Sequence, residues 1–508
     1  MMIFRKVVFI PVVSFILLNG LFVSCDKPVK APVNIIFILT DNHTVNMLSC
    51  YNPSGVATPN IDRIARNGMK FSNSFVANSA SRPSFASILT GTHSHVNGIV
   101  DNTIGAFHRS MKTFPELLHE EGYQTATIGK WTLQTPPSGF DYWMVMKNGG
   151  TYNDPEFYSS EADSIRIEGY ATNIITDLSL RWLESGRDKE RPFYMMMYQK
   201  AFDLEMMPPA DLSSLYENSH FPLPSNFYDN YTDRLGAFCQ EIKISDNLFL
   251  SGNIRGDDSV SVYPGKAAEM RKKKQGGLRH TAPYTSGIAE DSISYARYQE
   301  LMKDYAGTLH SLDRNIGRLL DYIEKSGLGE NTLVVYTSTH GFFTGEHGWF
   351  DSGFMYEESM RTPLLIRLPE RCPGFKKEIP EQIQNIDHAP TFLEMAGIGV
   401  PDFIQGESYL DILKGESVKR TRDALYYHYY EYPSSQMIRR HYGIRTPDYK
   451  LIRFYHDIDT WEMYDLKNDP YEMNNIVNDP GARQEFMGLK RELEQLQGEY
   501  CDPVRGPF

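Results

Sequence analysis

The feature that most constrains the fold is a strand of the fully buried type that ends in polar residues. The run Asn34–Thr40 is apolar from Ile35 to Leu39, and Asp41 and Asn42 follow it directly. Such runs are typical of strands covered on both faces in a parallel sheet. Open α/β sheets bind ligands at the carboxyl ends of their strands, so Asp41 and Asn42 are candidate site residues.

Further strands and helices alternate along the chain after this run. Strands are predicted at about 125–128, 193–198 and 332–337, and helices at about 59–67, 83–89, 113–121 and 293–325. This alternation predicts an α/β fold with a large mixed, mostly parallel sheet sandwiched by helices. The chain of 508 residues is too long for one ordinary domain. We expect a main domain at 31–397 and a smaller C-terminal α+β subdomain at 398–508. In the subdomain, antiparallel strands are predicted at about 424–432 and 450–455, and a helix over 482–497 that Gly498 ends.

The N-terminus has the pattern of an export signal. Arg5 and Lys6 precede a short apolar run, and Ser24-Cys25 follows it. Residues 1–25 are therefore predicted to be a signal peptide with a lipoprotein cleavage box, with the lipid on Cys25. The alternatives are a plain signal peptide or an N-terminal anchor. We expect an exported protein in the periplasm, or on the outer membrane or cell surface as a lipoprotein, where disulfides are permitted.

The charge balance limits the partners. The net charge is −13, so the surface as a whole repels nucleic acid and anionic membranes. Contact with a membrane is expected only through a lipid on Cys25. The basic run at 271–274 lies in an aromatic-rich stretch, 203–287, which breaks the alternation and is interpreted as an insertion near the mouth of the site. The run itself is interpreted as a solvated loop.

Several short blocks, in order along nearly the whole chain, resemble the sulfatase family. They lie at 58–65 (TPNIDRIA), 83–91, 122–131, 345–348 (GEHG), 356–363 and 462–470. The resemblance implies an alkaline-phosphatase-like fold and cleavage of sulfate esters of glycans. It also implies a formylglycine nucleophile made from Cys or Ser, a calcium ion held by acidic side chains, and basic side chains that bind the sulfate oxygens. A transition state rich in negative charge requires that positive charge.

The resemblance places the nucleophile precursor at Ser81, in the sequence Ser81-Arg82-Pro83-Ser84-Phe85. The arginine that the family motif carries is replaced by Phe85. Since that arginine serves the modifying enzyme, the motif does not ensure formylglycine at Ser81. An unmodified Ser81 hydroxyl at a helix N-terminus could still cap the helix or bind an anion.

The expected metal ligands are depleted in charge. Asp41 and Asn42 stand where two Asp are usual, and Thr339 and His340 stand where Asp-Asn or Asp-His is usual. Asn42 still offers a carbonyl oxygen, but three carboxylates have become one. Calcium affinity depends on ligand charge, so we expect calcium at Asp41, Asn42 and His340 to be weak or absent.

The expected sulfate-binding cations are depleted as well. Lys130 is retained and, with His340, remains a candidate substrate-binding residue. Three further positions are substituted: Thr132 and Asp203 stand where histidines are expected and Ser352 where a lysine is expected. Losing both the acidic and the basic set leaves a roughly balanced pocket, whereas losing one set would leave buried charges unpaired.

Three functions remain open from the sequence. The first is a degenerate sulfatase that binds a sulfated or other anionic glycan without cleaving it. The second is an active sulfate ester hydrolase on glycosaminoglycan-like saccharides, with a rearranged site. The third is a phosphoester hydrolase that uses unmodified Ser81 as nucleophile.

Overall fold

The computed structural model describes residues 32–103, 107, 111–147, 149–160, 163–203, 206–244, 290–372, 377–416, 422–434 and 437–504. The predicted signal segment 1–25, including Cys25, and the basic run 271–274 lie outside the described residues. No helix in the described part of the chain is long and apolar enough to cross a bilayer. Cys50, Cys239, Cys372 and Cys501 are free thiols.

The strands of the described residues are as follows, numbered in chain order. They are β1 Asn34–Thr40, β2 Met69–Phe75, β3 Gln124–Trp131, β4 Tyr142–Lys147, β5 Glu156–Ser159, β6 Ile165–Arg166, β7 Phe193–Tyr198, β8 Thr332–Ser338, β9 Phe343–Thr344, β10 Phe350–Asp351, β11 Leu364–Arg367, β12 Glu378–Gln384, β13 Leu425–Tyr429, β14 His441–Arg445, β15 Tyr449–Phe454 and β16 Thr460–Asp465. Ten of them form one mixed sheet in the order β12-β2-β11-β8-β1-β7-β3-β4-β5-β6. The centre of this sheet, β8-β1-β7-β3-β4, is parallel. This confirms the predicted sheet.

The α-helices of the described residues are numbered in the same way. They are α1 Ile61–Arg66, α2 Ser81–Thr90, α3 Ser94–Asn97, α4 Phe114–Glu120, α5 Ala171–Arg181, α6 Leu235–Phe238, α7 Glu290–Lys325, α8 Glu357–Met360, α9 His388–Met395, α10 Leu410–Leu413 and α11 Arg483–Glu499. Helices α1, α5 and α7 contribute to one apolar core, and α2, α4 and α9 to a second. The sheet is therefore covered on both faces.

Strand β1 shows why its sequence is apolar throughout. Ile36 and Ile38 belong to the core with α1, α5 and α7, and Ile35, Phe37 and Leu39 belong to the core with α2, α4 and α9. Successive side chains of a strand point to opposite faces, so a strand between two helical layers needs apolar residues at every position. The predicted boundaries of β1 are confirmed.

A separate four-stranded antiparallel sheet, β13-β14-β15-β16, forms the C-terminal part. Strands β13 and β15 match the predicted ones, whereas β14 and β16 were not predicted. Helix α11 packs on this sheet through Leu489 and Leu493. The prediction that Gly498 ends this helix is wrong: the helix includes Gly498 and ends at Glu499.

Candidate active site

Four of the predicted site residues converge at the carboxyl ends of the central strands. Asp41 follows β1, and Thr339 and His340 follow its parallel neighbour β8; Lys130 lies at the end of β3. The Thr339 amide donates to the carbonyl of Thr40 at 2.9 Å, which extends the β1–β8 pairing to the site. Parallel strands end at the same edge, and this brings distant sequence positions together.

The Asp41 carboxylate is buried and fully engaged by its neighbours. The Lys130 ammonium lies 2.5 Å from Oδ2. The Thr339 hydroxyl donates to Oδ1, and His340 Nε2 lies 3.2 Å from the same oxygen. Asp41 is only 1% exposed. Both of its oxygens are therefore used within the protein.

Asp41 and Lys130 keep each other in the charged form. Burial raises the pKa of Asp41, but Lys130 and His340 outweigh it and hold the pKa well below its usual range. Burial lowers the pKa of Lys130, yet the carboxylates of Asp41 and Asp203 reverse this and leave that pKa raised. An opposite charge within a few ångströms favours the ionised form of each partner. The two groups thus form a buried ion pair.

Ser81, the predicted nucleophile position, is the first residue of α2 and contacts His340. Its Oγ lies 3.0 Å from His340 Nε2, and His340 Nδ1 lies 2.8 Å from the carbonyl of Gly341. A carbonyl only accepts hydrogen bonds, so Nδ1 carries a proton. The ring can accept the Ser81 proton only while Nε2 is bare, but Nε2 also faces the acceptor oxygen of Asp41. This arrangement opposes activation of Ser81.

Phe85 lies one helical turn after Ser81 and belongs to an apolar cluster. Its ring packs edge-on against Trp131, with centroids 5.2 Å apart, and lies 5.2 Å from the ring of Tyr198. Phe85 is fully buried. The position that carries the motif arginine in the family is here part of the core.

Three other positions where the family residue is substituted, Asn42, Thr132 and Ser352, make their contacts elsewhere. Asn42 has a left-handed backbone, with φ 52°, which Asn tolerates, and its side-chain amide donates to the carbonyl of Phe202 at 3.3 Å. Ser352 is buried, and its backbone amide donates to the Asp351 carboxylate. Among the described residues, no hydrogen bond joins Thr132 or Ser352 to Asp41, Lys130 or His340.

Asp203 lies at the same edge of the sheet and pairs with a lysine that the sequence did not single out. Lys200 Nζ is 2.9 Å from Asp203 Oδ2. Burial raises the pKa of Asp203, but Lys200 and Lys130 lower it to about 2. Lys200 comes two residues after the end of β7. Its position at the carboxyl end of a predicted parallel strand is the sequence feature that could have identified it as a site residue.

Ser84 and Asn385 were also missed, and they hold the loops of the site. Ser84 Oγ donates to the carbonyl of Thr339, and it accepts from Asn385 Nδ2 at 2.8 Å. Asn385 Oδ1 accepts from the amide of Ala77 at 3.1 Å. These bonds fix the start of α2 against the end of β8, and with it Ser81 against His340.

The side chains at the predicted metal site do not fit calcium. Calcium takes six to eight oxygen ligands, several of them carboxylates. Asp41 is the one carboxylate of the predicted set, and its oxygens already serve Lys130, Thr339 and His340. Within the described ranges, no group of three or more His, Cys, Asp or Glu has the arrangement of a metal site.

Calcium is therefore expected to leave the thermal stability unchanged. Titrating the purified protein with calcium, and separately removing divalent ions with a chelator, should not shift the apparent Tm. A ligand present at 100 times its Kd would stabilise the folded state by about 2.7 kcal/mol, which a melting curve detects readily. A calcium-dependent rise in Tm that is absent in Asp41→Asn would contradict the assignment of both carboxylate oxygens to protein donors.

Two family models match the chain. The sulfatase model matches residues 33–398, and the model of the C-terminal part of N-sulphoglucosamine sulphohydrolase matches residues 345–499. The first model covers all ten strands of the large sheet, and the second covers the antiparallel sheet and α11.

Individual relatives agree with these models. An N-acetylglucosamine-6-O-sulfatase of Bacteroides thetaiotaomicron is 43% identical over 501 residues, covering 94% of this chain and 89% of that protein. A solved structure of a protein in complex with its substrate, D-glucosamine-2-N,6-O-disulfate, has 41% identity and a TM-score of 0.83, covering 93% of this chain and 99% of that one. The phosphonate monoester hydrolase of Agrobacterium radiobacter shares the fold at 18% identity and a TM-score of 0.68, covering 92% of this chain and 96% of that one. The chain belongs to the sulfatase family, with the alkaline-phosphatase-like fold.

Proposed function

We propose that this protein binds a saccharide of the sulfated-glycan class in the family pocket and does not hydrolyse its sulfate esters. The observation that carries the proposal is the state of Asp41. Lys130, the retained cation, pairs with Asp41 where the family places a metal ion, and Thr339 and His340 complete the donors to that carboxylate. Among the described residues, the predicted metal ligands Asp41, Asn42 and His340 therefore include no second carboxylate for calcium, and the retained cation Lys130 is already paired.

The nucleophile position supports the same proposal. Formylglycine formation depends on the motif arginine by the family resemblance, and Phe85 fills that position as part of an apolar cluster. An unmodified Ser81 hydroxyl needs a base, and His340 Nε2 cannot serve as one while it donates to the Asp41 oxygen beside it. Intact-protein and peptide mass spectrometry should therefore find serine at position 81.

The ligand class is inferred from the relatives. The Bacteroides relative is an N-acetylglucosamine-6-O-sulfatase, and the solved relative holds D-glucosamine-2-N,6-O-disulfate as its substrate. Both share more than 40% of their residues with this chain over almost its whole length. We therefore propose a glucosamine-containing, sulfated saccharide as the class of ligand.

A direct test combines a binding and a turnover measurement on D-glucosamine-2-N,6-O-disulfate. Calorimetry should detect binding to the purified protein, and ion chromatography should detect no sulfate release during long incubation. The Bacteroides sulfatase in parallel is the positive control for turnover. Sulfate release at an ordinary enzymatic rate, lost in Ser81→Ala, would instead establish the active sulfate ester hydrolase. Absence of binding to this and to longer sulfated saccharides would refute the ligand class.

Hydrolysis of phosphoesters by unmodified Ser81 is the second candidate. The 3.0 Å contact between Ser81 Oγ and His340 Nε2 favours it, because a nucleophile and a base need such a contact. An aryl phosphate assay tests it, with Ser81→Ala as the control. Turnover that Ser81→Ala abolishes would rank this candidate above the binding proposal.

The location of the protein remains a prediction from residues 1–25. We propose export and a lipid on Cys25, which would hold the pocket at a membrane surface where large extracellular glycans are met. Metabolic labelling with a radioactive fatty acid tests the proposal, with Cys25→Ala as the unlabelled control.

A further inference from the structure

Among the described residues, four charged side chains of alternating sign lie together at the candidate active site. Asp41 pairs with Lys130, and Asp203 pairs with Lys200; Asp203 in turn acts electrostatically on Lys130. The backbone of Gly149 lies against three of these side chains: a Cβ on Gly149 would be 3.5 Å from Lys130 Cε, 3.6 Å from Asp203 Oδ2 and 3.9 Å from Lys200 Nζ. The second pair therefore lies beside the first.

The four groups differ sharply in exposure. The side chains of Lys200, Lys130 and Asp41 are 4%, 7% and 1% exposed, whereas that of Asp203 is 37% exposed. The Lys200 ammonium is also covered by the Tyr152 ring, whose centroid is 4.6 Å away. An incoming ligand therefore meets a carboxylate first, with both ammonium groups buried behind it.

We propose that Asp203 is a built-in competitor for the anion position, which limits the affinity of this pocket for sulfate groups. Its carboxylate holds the Lys200 ammonium and shields Lys130, so a sulfate must displace it or bind next to a like charge. A sugar hydroxyl or ammonium can instead donate to this partly exposed carboxylate. The proposal deepens the proposed function, since it concerns how the same pocket meets the charged group of the saccharide.

The physical basis is the balance of charge at short range. The charges of these two carboxylates and two ammonium groups cancel, so the four side chains together offer an entering dianion no net attraction. Removing the one exposed carboxylate leaves a net positive charge within a few ångströms, in a region of low dielectric. The affinity gained should fall as salt is raised, because the new attraction is electrostatic and the Asp203 side chain is partly exposed to solvent.

The test measures binding of inorganic sulfate by calorimetry to the full chain and to Asp203→Asn. We expect the variant to bind sulfate about tenfold or more tightly than the wild type at low salt. Asp203→Ser should behave in the same way, and the double variant Asp203→Asn/Lys200→Met should lose the gain. The matched control is Asp211→Asn, which removes an exposed carboxylate paired with Arg314 on the surface and should change nothing. Thermal melts verify that each variant is folded.

The outcomes separate this proposal from the proposed function. Equal sulfate affinity of the wild type, Asp203→Asn and Asp203→Ser would overturn the competitor role, even if the wild type binds the saccharide. A gain that survives loss of Lys200 would overturn it too. A gain that depends on Lys200 supports it, even if the wild type binds no saccharide and the proposed function fails.

Discussion

A Lys130→Met protein is expected to lose about 3–5 kcal/mol of its free energy of unfolding, as is typical when one partner of a buried ion pair is removed. Asp41 would remain ionised in a site where it is 1% exposed, with only Thr339 and His340 as partners. Urea denaturation monitored by fluorescence and circular dichroism measures the loss. The control Lys112→Met removes a solvent-exposed partner of Glu120 and should cost about 1 kcal/mol or less.

The double variant Lys130→Met/Asp41→Asn tests whether the two residues stabilise the protein as a pair. It removes both charges at once, so most of the lost stability should return. A double variant as unstable as the sum of its single variants would show that the two residues act independently, contrary to the 2.5 Å contact.

The contribution of the Asp41–Lys130 pair should also be visible in how the free energy of unfolding depends on pH. In the wild type the pKa of Asp41 is lowered on folding, so its stabilisation is present above the ordinary carboxyl pKa and is lost as the pH falls. In Lys130→Met the Lys130 charge no longer lowers the pKa of Asp41, so we expect the effect of burial to prevail and protonation to favour the folded state. The difference in stability between the two proteins should therefore narrow between about pH 7 and pH 4.

Restoring the family arginine by Phe85→Arg is expected to destabilise the protein by about 4 kcal/mol or more, and not to create a sulfatase. The guanidinium would enter a core lined by Trp131 and Tyr198, where the aromatic contacts are lost. The measurements are soluble yield, urea denaturation and sulfate release.

Phe85→Leu is the matched control for this change. It keeps the site apolar and should cost about 1–2 kcal/mol, through lost contacts and a small cavity. If Phe85→Arg were as stable as Phe85→Leu, or released sulfate, the interpretation of position 85 as core would be wrong.

Much of the fold followed from the sequence because its strands are regular. The run Asn34–Thr40 and the strands Phe193–Tyr198 and Thr332–Ser338 are apolar over almost their whole length, which is typical of the middle of a covered sheet. Strand β14 was missed because its sequence, HYGIR, is short and has only two alternating apolar residues, Tyr442 and Ile444. It is buried nonetheless, since Arg445 pairs with Glu357 and Gly443 lies against Met355 and Leu451.

The sequence predicts those residues of the candidate site that lie at or directly after the end of a strand. Asp41, Thr339 and His340 follow adjacent strands, and Lys130 ends another, so their meeting could be expected. Lys200 also follows a predicted strand, but it was missed because a lysine after a strand has the pattern of a solvated residue. Only the three-dimensional arrangement shows that it is buried and paired with Asp203.

The two ion pairs of the site lie in parts of the fold that differ in regularity. Asp41 and Thr339 continue β1 and β8, which are hydrogen-bonded to strands on both sides and buried on both faces, so they can move only if the centre of the sheet opens. Asp203 lies in irregular chain beyond β7, outside the ladder of strand hydrogen bonds. Substitutions at Asp203 can therefore change what this site binds without disturbing the folding of the sheet.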